Sequence, residues 1–424
     1  MTQQNVFLSQ MASGLIGSEI LKVAAEIRAK IARGDRVINL TVGDFRPDLF
    51  PIPKSLKDGI VAALERGETN YPPSDGILDL RKAVTEFYAE RLGLDYPVAS
   101  VVIAGGVRPA LYAVYRTLLS PGETLLYPVP SWNNNHYAWL VGAKRDEVIA
   151  RAESNFLPTA EDLRPRIASA RVLLLNSPLN PAGTAYEEAE LERIVALILD
   201  ENARREGRGE APVVLLYDQV YWMLTFGGVR HVTPVAIDAR MREYTLFVDG
   251  ISKAFCATGI RVGWCVGPEH TIEPISSLLG HIGAWAPRAE QVATATFLRD
   301  GATMDAFLTP MKAAVEERLQ ALHEGFTRMR ADGYPVECIA PQGAIYLSAR
   351  VNIIGKRAGG KLLSTNEEIR VFLLERAAVA VVPFQAFGLR EESGWFRLSV
   401  GALPTSEIAG LFPALRAALD EVSA

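Results

Sequence analysis

An α/β fold divided between two domains is the architecture this sequence predicts, and three observations carry it. At 424 residues the chain is too long for one ordinary hydrophobic core, so two domains are expected. Between residues 100 and 266, short apolar runs alternate with helical patterns, as in a sheet covered by helices. Beyond residue 300 the strands become short and alternate with helices in an α+β composition, which places a domain boundary near that point.

The elements follow in order. Ile20, Leu21, Ala24, Ile27 and Ile31 form a helical stripe over residues 18–33, from Ser18 onward, that Gly34 ends. Residues 37–41 read as a strand, followed by Gly43 and the loop DFRPDLFPIP. A helical pattern covers 54–66, and Ile77, Leu80, Val84 and Phe87 share one face of the next helix. Residues 100–104 form an apolar strand running through Gly105 and Gly106 into the helix ALYAVYRTLL. Further buried strands are expected at 124–127, 171–176, 212–217, 244–248 and 262–266, with a long polar-faced helix at 187–206. Phe307, Met311, Leu319, Leu322 and Phe326 line one face of a helix within 301–332. Strands at 336–339, 344–347, 379–382 and 396–400 then accompany helices at 365–376 and 406–422.

Composition removes several function classes. Hydrophobic residues at 49% and charged ones at 22% are those of a soluble globular chain. With 44 basic against 49 acidic residues, the charge of −5 offers no basic surplus for nucleic acid or an anionic membrane. Cys256, Cys265 and Cys338 are odd in number and widely spaced, so neither a disulfide framework nor a metal site is expected, which fits a reducing cytoplasm. The start MTQQNVFLSQMASG lacks the basic and apolar regions of a signal peptide, and no apolar run is long enough to span a bilayer.

The chemistry centres on residues 244–267, YTLFVDGISKAFCATGIRVGWCVG. Two apolar runs bracket a loop holding Lys253 and Arg261. Alone, these two read first as surface residues of a hairpin. A lysine among apolar neighbours can also lose its proton and attack an aldehyde, while arginine stays cationic and suits a phosphate. An amine that binds a carbonyl next to a phosphate clamp describes a pyridoxal phosphate site. Upstream, Gly105 and Gly106 open a helix, so backbone N–H groups there can converge on a phosphate. Asp218 ends a buried strand, where ligands bind at the carboxyl edge of parallel sheets. The GxGxxG dinucleotide fingerprint is absent.

The segment SKAFCATGIRVGW resembles the lysine segment of fold-type-I pyridoxal-phosphate enzymes, specifically the class I/II aminotransferase family. NYPPSDG, PSWNNNHY, NSPLNPAGT, DQVY and WFRLSVG resemble other family segments and fall in the family's order. The resemblance implies a homodimer with shared active sites. It implies a large domain with a mixed, mostly parallel sheet over residues 50–300, and a smaller α+β domain built from 1–49 and 301–424. Lys253 would carry the cofactor, Asp218 would keep its pyridine nitrogen protonated, and Asn180 and Tyr221 would share its phenolic oxygen. Trp132 would cover one ring face. Gly106, Val107, Arg108, Ser252 and Arg261 would bind the phosphate, joined by Tyr71 of the neighbouring subunit. Gly250 stands where many members have a phosphate serine, which shifts that work onto Ser252, Arg261 and backbone amides. Arg397, with Gly43 and Asn180, would hold the substrate's α-carboxylate.

The activity implied is transfer of an amino group from an α-amino acid to a 2-oxo acid such as 2-oxoglutarate, with aspartate or another acidic donor favoured. His281 occupies the register of a family arginine for a second carboxylate, with Arg288 and Arg108 as other candidate cations. Alternatives are a β/γ-elimination enzyme of the carbon–sulfur lyase or cyclopropane-forming type, and a non-catalytic cofactor-binding regulator. The regulator would need a DNA-binding domain, for which the segment before Ser18 has no room.

Overall fold

The computed structural model describes residues 7–17 and 19–423. Residues 1–6, Ser18 and the side chain of Leu21, which belongs to the expected first stripe, lie outside the described residues. That helix is Glu19–Ala32, with Val23 and Ile27 buried on its inner face. The strand expected at 37–41 shortens to β1 (Ile38–Asn39). The reason is local: Asn39 Oδ1 accepts from the Thr41 N–H at 3.1 Å and its hydroxyl at 2.7 Å, an Asx turn that takes this amide away from strand pairing.

Seven strands form the main sheet: β2 (Val101–Ala104), β3 (Thr124–Val129), β4 (Lys144–Ile149), β5 (Ala170–Asn176), β6 (Val214–Asp218), β7 (Thr245–Gly250) and β8 (Gly263–Val266). Their spatial order is β2-β8-β7-β6-β5-β3-β4. Neighbours from β7 through β4 are parallel, and β8 runs antiparallel to both β7 and β2. Alternation in each strand splits the side chains between two cores. Leu173, Leu215, Phe247 and Trp264 enter one, while Leu174, Leu216, Leu246, Val248 and Cys265 enter the other. Such double-sided burial is why these strands read as continuous apolar runs.

The helix Gly301–Ala331 spans 31 residues, capped by Asp300, whose carboxylate accepts from Thr303 N at 3.0 Å. It buries Met311, Leu319, Leu322 and Phe326. Next to it lies an antiparallel sheet of β9 (Val336–Cys338), β10 (Tyr346–Val351), β12 (Val382–Pro383) and β13 (Trp395–Ser399), while β11 (Val379–Ala380) pairs in parallel with β1. The chain's first strand is thus fastened to its last third. Arg397 on β13 sits opposite Ser348 and Val382, in the middle of that sheet. Among the described residues, no helix is long and apolar enough to cross a membrane.

Candidate active site

The parallel strands deliver their last residues to one edge, as the carboxyl ends of such sheets do. Asn176 ends β5 and lies opposite Asp218, which ends β6. Asn176 Nδ2 donates to the Asp218 carbonyl at 2.8 Å, and its Oδ1 accepts from Asn180 N at 2.8 Å. The first asparagine of NSPLNPAGT therefore fixes the second one beside Asp218. Asp218 Oδ1 accepts from Val220 N at 3.1 Å. Burial pushes the Asp218 carboxyl up to about 6, while the Val220 N–H and Lys253 pull it down.

Strand β7 ends at Gly250 and leads into the short helix Ile251–Ala254, which carries Lys253 and a buried Ser252. Gly250 is required by contact: a Cβ there would lie 2.8 Å from Gly263 Cα and from Val262 O. Lys253 Nζ donates to Gly43 O at 2.7 Å and sits 5.7 Å from the Tyr221 ring centre. Burial pushes the Tyr221 hydroxyl well above its usual range, with Tyr346 adding to the shift. The two tyrosine hydroxyls are 2.7 Å apart.

Arg397 is 2% exposed. Its Nη2 donates to Thr41 O at 2.8 Å and its Nη1 to Asn180 Oδ1 at 3.1 Å, while Nε has no partner among the described residues. The guanidinium lies over the Tyr346 ring at 4.6 Å and the Phe387 ring at 4.9 Å. A Cβ on Gly43 would come within 3.1 Å of Tyr346 Oη and 3.4 Å of Arg397 Nη1, so glycine leaves that approach open.

A second group gathers at the other side of the edge. Gly106, at φ 96°, caps the helix Val107–Leu118. Arg261 takes φ 65° and donates to Thr258 O at 2.8 Å and to Gly105 O at 2.9 Å. A Cβ on Gly106 would fall 2.2 Å from Arg261 Nη2. Arg108, in the first turn of that helix, stacks its guanidinium over Trp132 at 4.5 Å and forms no ion pair among the described residues. Burial, then the neighbouring Arg108, lowers the Arg261 pKa, as expected for two cations awaiting an anion.

Gly43, Asn180, Tyr221, Lys253 and Arg397 thus come together, and so do Gly106, Arg108, Trp132 and Arg261. Tyr71, His281 and Arg288 do not join them within the chain. Tyr71 is 82% exposed and meets Trp285 edge-on at 5.4 Å. His281 ends the helix Glu269–His281 and is exposed. Arg288 Nε pairs with Glu68 at 2.5 Å. Tyr346, Thr41 and Phe387 were not legible as site residues: each sits in or near an apolar run with no motif of its own. Among the described residues, no cluster could hold a metal ion.

Comparison with known proteins gives the same family throughout. The family model described as aminotransferase class I and II matches residues 35–415. The aspartate aminotransferase of Rhizobium meliloti (strain 1021) is 32% identical over 410 residues, covering 96% of this chain and 94% of that protein. The crystal structure of the aspartate aminotransferase from Rhizobium meliloti superposes with a TM-score of 0.89 at 30% identity, over 98% of this chain and 99% of that one. Aspartate aminotransferase from Thermus thermophilus with maleate superposes at 0.83 and 27% identity, over 98% of each chain. The large mixed sheet is accordingly that of fold type I. The chain belongs to the class I and II aminotransferases and is a pyridoxal-phosphate-dependent transaminase.

Proposed function

We propose that this enzyme moves the amino group of aspartate, or another acidic α-amino acid, to a 2-oxo acid such as 2-oxoglutarate, with its cofactor held on Lys253. The observation that carries the reading is the meeting of Lys253, Tyr221, Asn180 and a buried Arg397 at the carboxyl edge of the main sheet. The residues fit the cofactor. The Gly106 turn and the Arg261 guanidinium lie too close for any side chain between them, which suits a shared phosphate cradle. Asp218 is an acid at the right strand end, and Trp132 offers an aromatic face.

Pyridoxal phosphate, when bound, supplies a ring that accepts the electrons left when the substrate's α-carbon loses a proton. Asp218, as a carboxylate, holds a proton on the ring nitrogen. Asn180 and Tyr221 hold the phenolic oxygen. Val107 and Arg108 amides, Ser252 and Arg261 hold the phosphate. Arg397 grips the α-carboxylate against Gly43, its two Nη atoms already aimed by Thr41 O and Asn180. The Lys253 amine, released from the cofactor when the substrate's amine takes its place, would take the proton from the substrate's Cα and return it during transfer.

For the second carboxylate of an acidic substrate, Arg108 is the best-placed cation. It forms no ion pair among the described residues and adjoins Trp132, whereas Arg288 is paired with Glu68. The Thermus thermophilus relative is described with maleate, a dicarboxylate, which supports an acidic substrate. His281 stays a candidate only from a neighbouring subunit. Shared sites in a homodimer are supported by the exposure of Tyr71. The pairing of β1 with β11 supports a small domain of residues 1–49 and 301–424 against a large one of 50–300. Three free thiols support a cytoplasmic location. The test is a panel of amino acids with 2-oxoglutarate, assayed for the new 2-oxo acid and for ammonia. Aspartate and glutamate should lead, and Arg108→Ala should lose them preferentially over a neutral donor. Release of ammonia or thiol without transfer would replace transamination by elimination.

A further inference from the structure

On the sheet face away from the Val248 core lies a buried polar cluster that the proposed chemistry leaves unused. Asp249 is 2% exposed, and no lysine or arginine forms an ion pair with it among the described residues. A carboxylate so placed is costly unless hydrogen bonds replace its water.

The bonds around it run in one direction. Burial pushes the His231 imidazole down to about 3, so the ring is neutral. Its Nε2 faces Gln219 Oε1 at 3.2 Å, an acceptor, and therefore carries the hydrogen. Gln219 Nε2 donates to the Tyr88 hydroxyl oxygen at 3.2 Å, and Trp264 Nε1 donates to the same oxygen at 3.2 Å. Two incoming donors fill that oxygen's lone pairs. The Tyr88 hydroxyl hydrogen is left to donate, and it faces Asp249 Oδ2 at 3.4 Å. Trp222 Nε1 donates to Oδ2 as well, at 2.8 Å, and Gly250 N donates to Oδ1 at 2.7 Å. Among the described residues, Asp249 thus receives three donors and meets no acceptor. A neutral acid would have no place for its own proton, so the set fits an anion. Burial, joined by the nearby Asp218 charge, pushes the Asp249 carboxyl up to about 8, while the Gly250, Trp222 and Tyr88 donors pull it back toward the anion.

Two of the donors, Trp222 and Gly250, come from the turns that matter, and the third, Tyr88 of the helix Leu78–Leu92, is held by Gln219 of the first turn. Gln219 and Trp222 flank Tyr221 just after Asp218, while Asp249 and Gly250 lead directly into the helix that carries Lys253. We propose that Asp249 is a positioning residue for transamination: through Trp222, Tyr88 and Gln219 its carboxylate ties the Asp218–Tyr221 turn to the Lys253 helix and fixes their spacing. This rests on the assignment of Asp218, Tyr221 and Lys253 proposed above.

Asp249→Asn turns an amide N–H₂ toward groups that already donate, whereas Tyr88→Phe removes a single hydroxyl with little change of shape. Two readouts separate positioning from general stability. In the cofactor-free protein labelled at its indole nitrogens, the Trp222 N–H signal, assigned by Trp222→Phe, should lie downfield beside a charged acceptor and move upfield in Asp249→Asn. In the holoenzyme, the induced circular dichroism of the cofactor should fall. The kcat should drop roughly tenfold, the size expected for one buried bond to a charged group, while KM for the amino donor stays within about twofold because Arg397 is untouched. Tyr88→Phe should shift both readouts in the same direction by less, and it decides the matter if Asp249→Asn does not fold. An unmoved Trp222 signal, or unchanged dichroism and kcat in a folded variant, overturns the proposal. Borohydride mapping of the wild type distinguishes the two levels. Cofactor fixed to Lys253 with a silent Asp249→Asn defeats this inference alone; cofactor fixed to another lysine defeats the site assignment and this inference with it.

Discussion

Replacing Arg397 by leucine removes the α-carboxylate clamp, and the structure sets the size of the effect. The side chain is 2% exposed between the Tyr346 and Phe387 rings, so water cannot replace it. Its Nη atoms are pre-aimed by Thr41 O at 2.8 Å and Asn180 Oδ1 at 3.1 Å, and little freedom is lost when a carboxylate docks. Each charged hydrogen bond is worth about 1.5–3 kcal/mol. Truncating one partner of a buried charged pair costs roughly 2–5 kcal/mol. At about 1.4 kcal/mol per factor of ten, KM for the amino donor should rise about thirtyfold to several thousandfold. Leucine also leaves Thr41 O and Asn180 Oδ1 without this donor, so a melting curve and a cofactor titration must accompany the kinetics. Steady-state rates against donor concentration, with the oxo acid saturating, give KM directly. A folded, cofactor-loaded Arg397→Leu enzyme with KM within about twofold of wild type would refute the clamp.

Asp218→Asn should bind cofactor yet transfer amino groups far more slowly, with a larger isotope effect from donor deuterated at Cα; near wild-type turnover would remove Asp218 from the proposed role. The same variant tests its raised pKa. In the cofactor-free protein the folded state keeps a proton on Asp218 that the unfolded chain releases near pH 4. That stabilisation is full below about pH 4 and is lost as pH rises through about 6. Melting temperature should therefore fall less steeply with pH in Asp218→Asn over this window, and identical slopes would contradict the assignment. For Tyr71, co-expressing subunits carrying Lys253→Ala and Tyr71→Ala should restore one working site per mixed dimer. Tagged mixed dimers without recovery would place Tyr71 outside the neighbouring site.

The strands that build the site edge were legible because both faces are buried: residues 212–217, 244–248 and 262–266 match β6, β7 and β8 to within a few residues. β4 gave no such signal. It is an edge strand, KRDEVI, in which Lys144, Arg145 and Ile149 are exposed, Asp146 and Glu147 are half-buried, and only Val148 is buried. The helix Glu269–His281 was masked by Pro274, which interrupts its pattern yet is tolerated in place. The strand expected at 344–347 begins later, at Tyr346, because Ala344 turns with φ 61°. Among site residues, Lys253, Asn180 and Arg397 stood out through their surroundings in sequence. Tyr346 did not, since its meeting with Tyr221 joins positions 125 residues apart and only the folded chain brings them together. Asp249 directly follows the apolar run 244–248. Its role as an acceptor emerges only when Tyr88, Trp222 and Gly250 surround it.

The most direct test of the whole reading is the identity of the lysine that bears the cofactor. The purified holoenzyme, reduced with borohydride and digested, should yield one cofactor-labelled peptide containing Ser252-Lys253-Ala254, and Lys253→Ala should yield none. Label recovered on Lys82, Lys144 or any other lysine would contradict the site built here around Lys253.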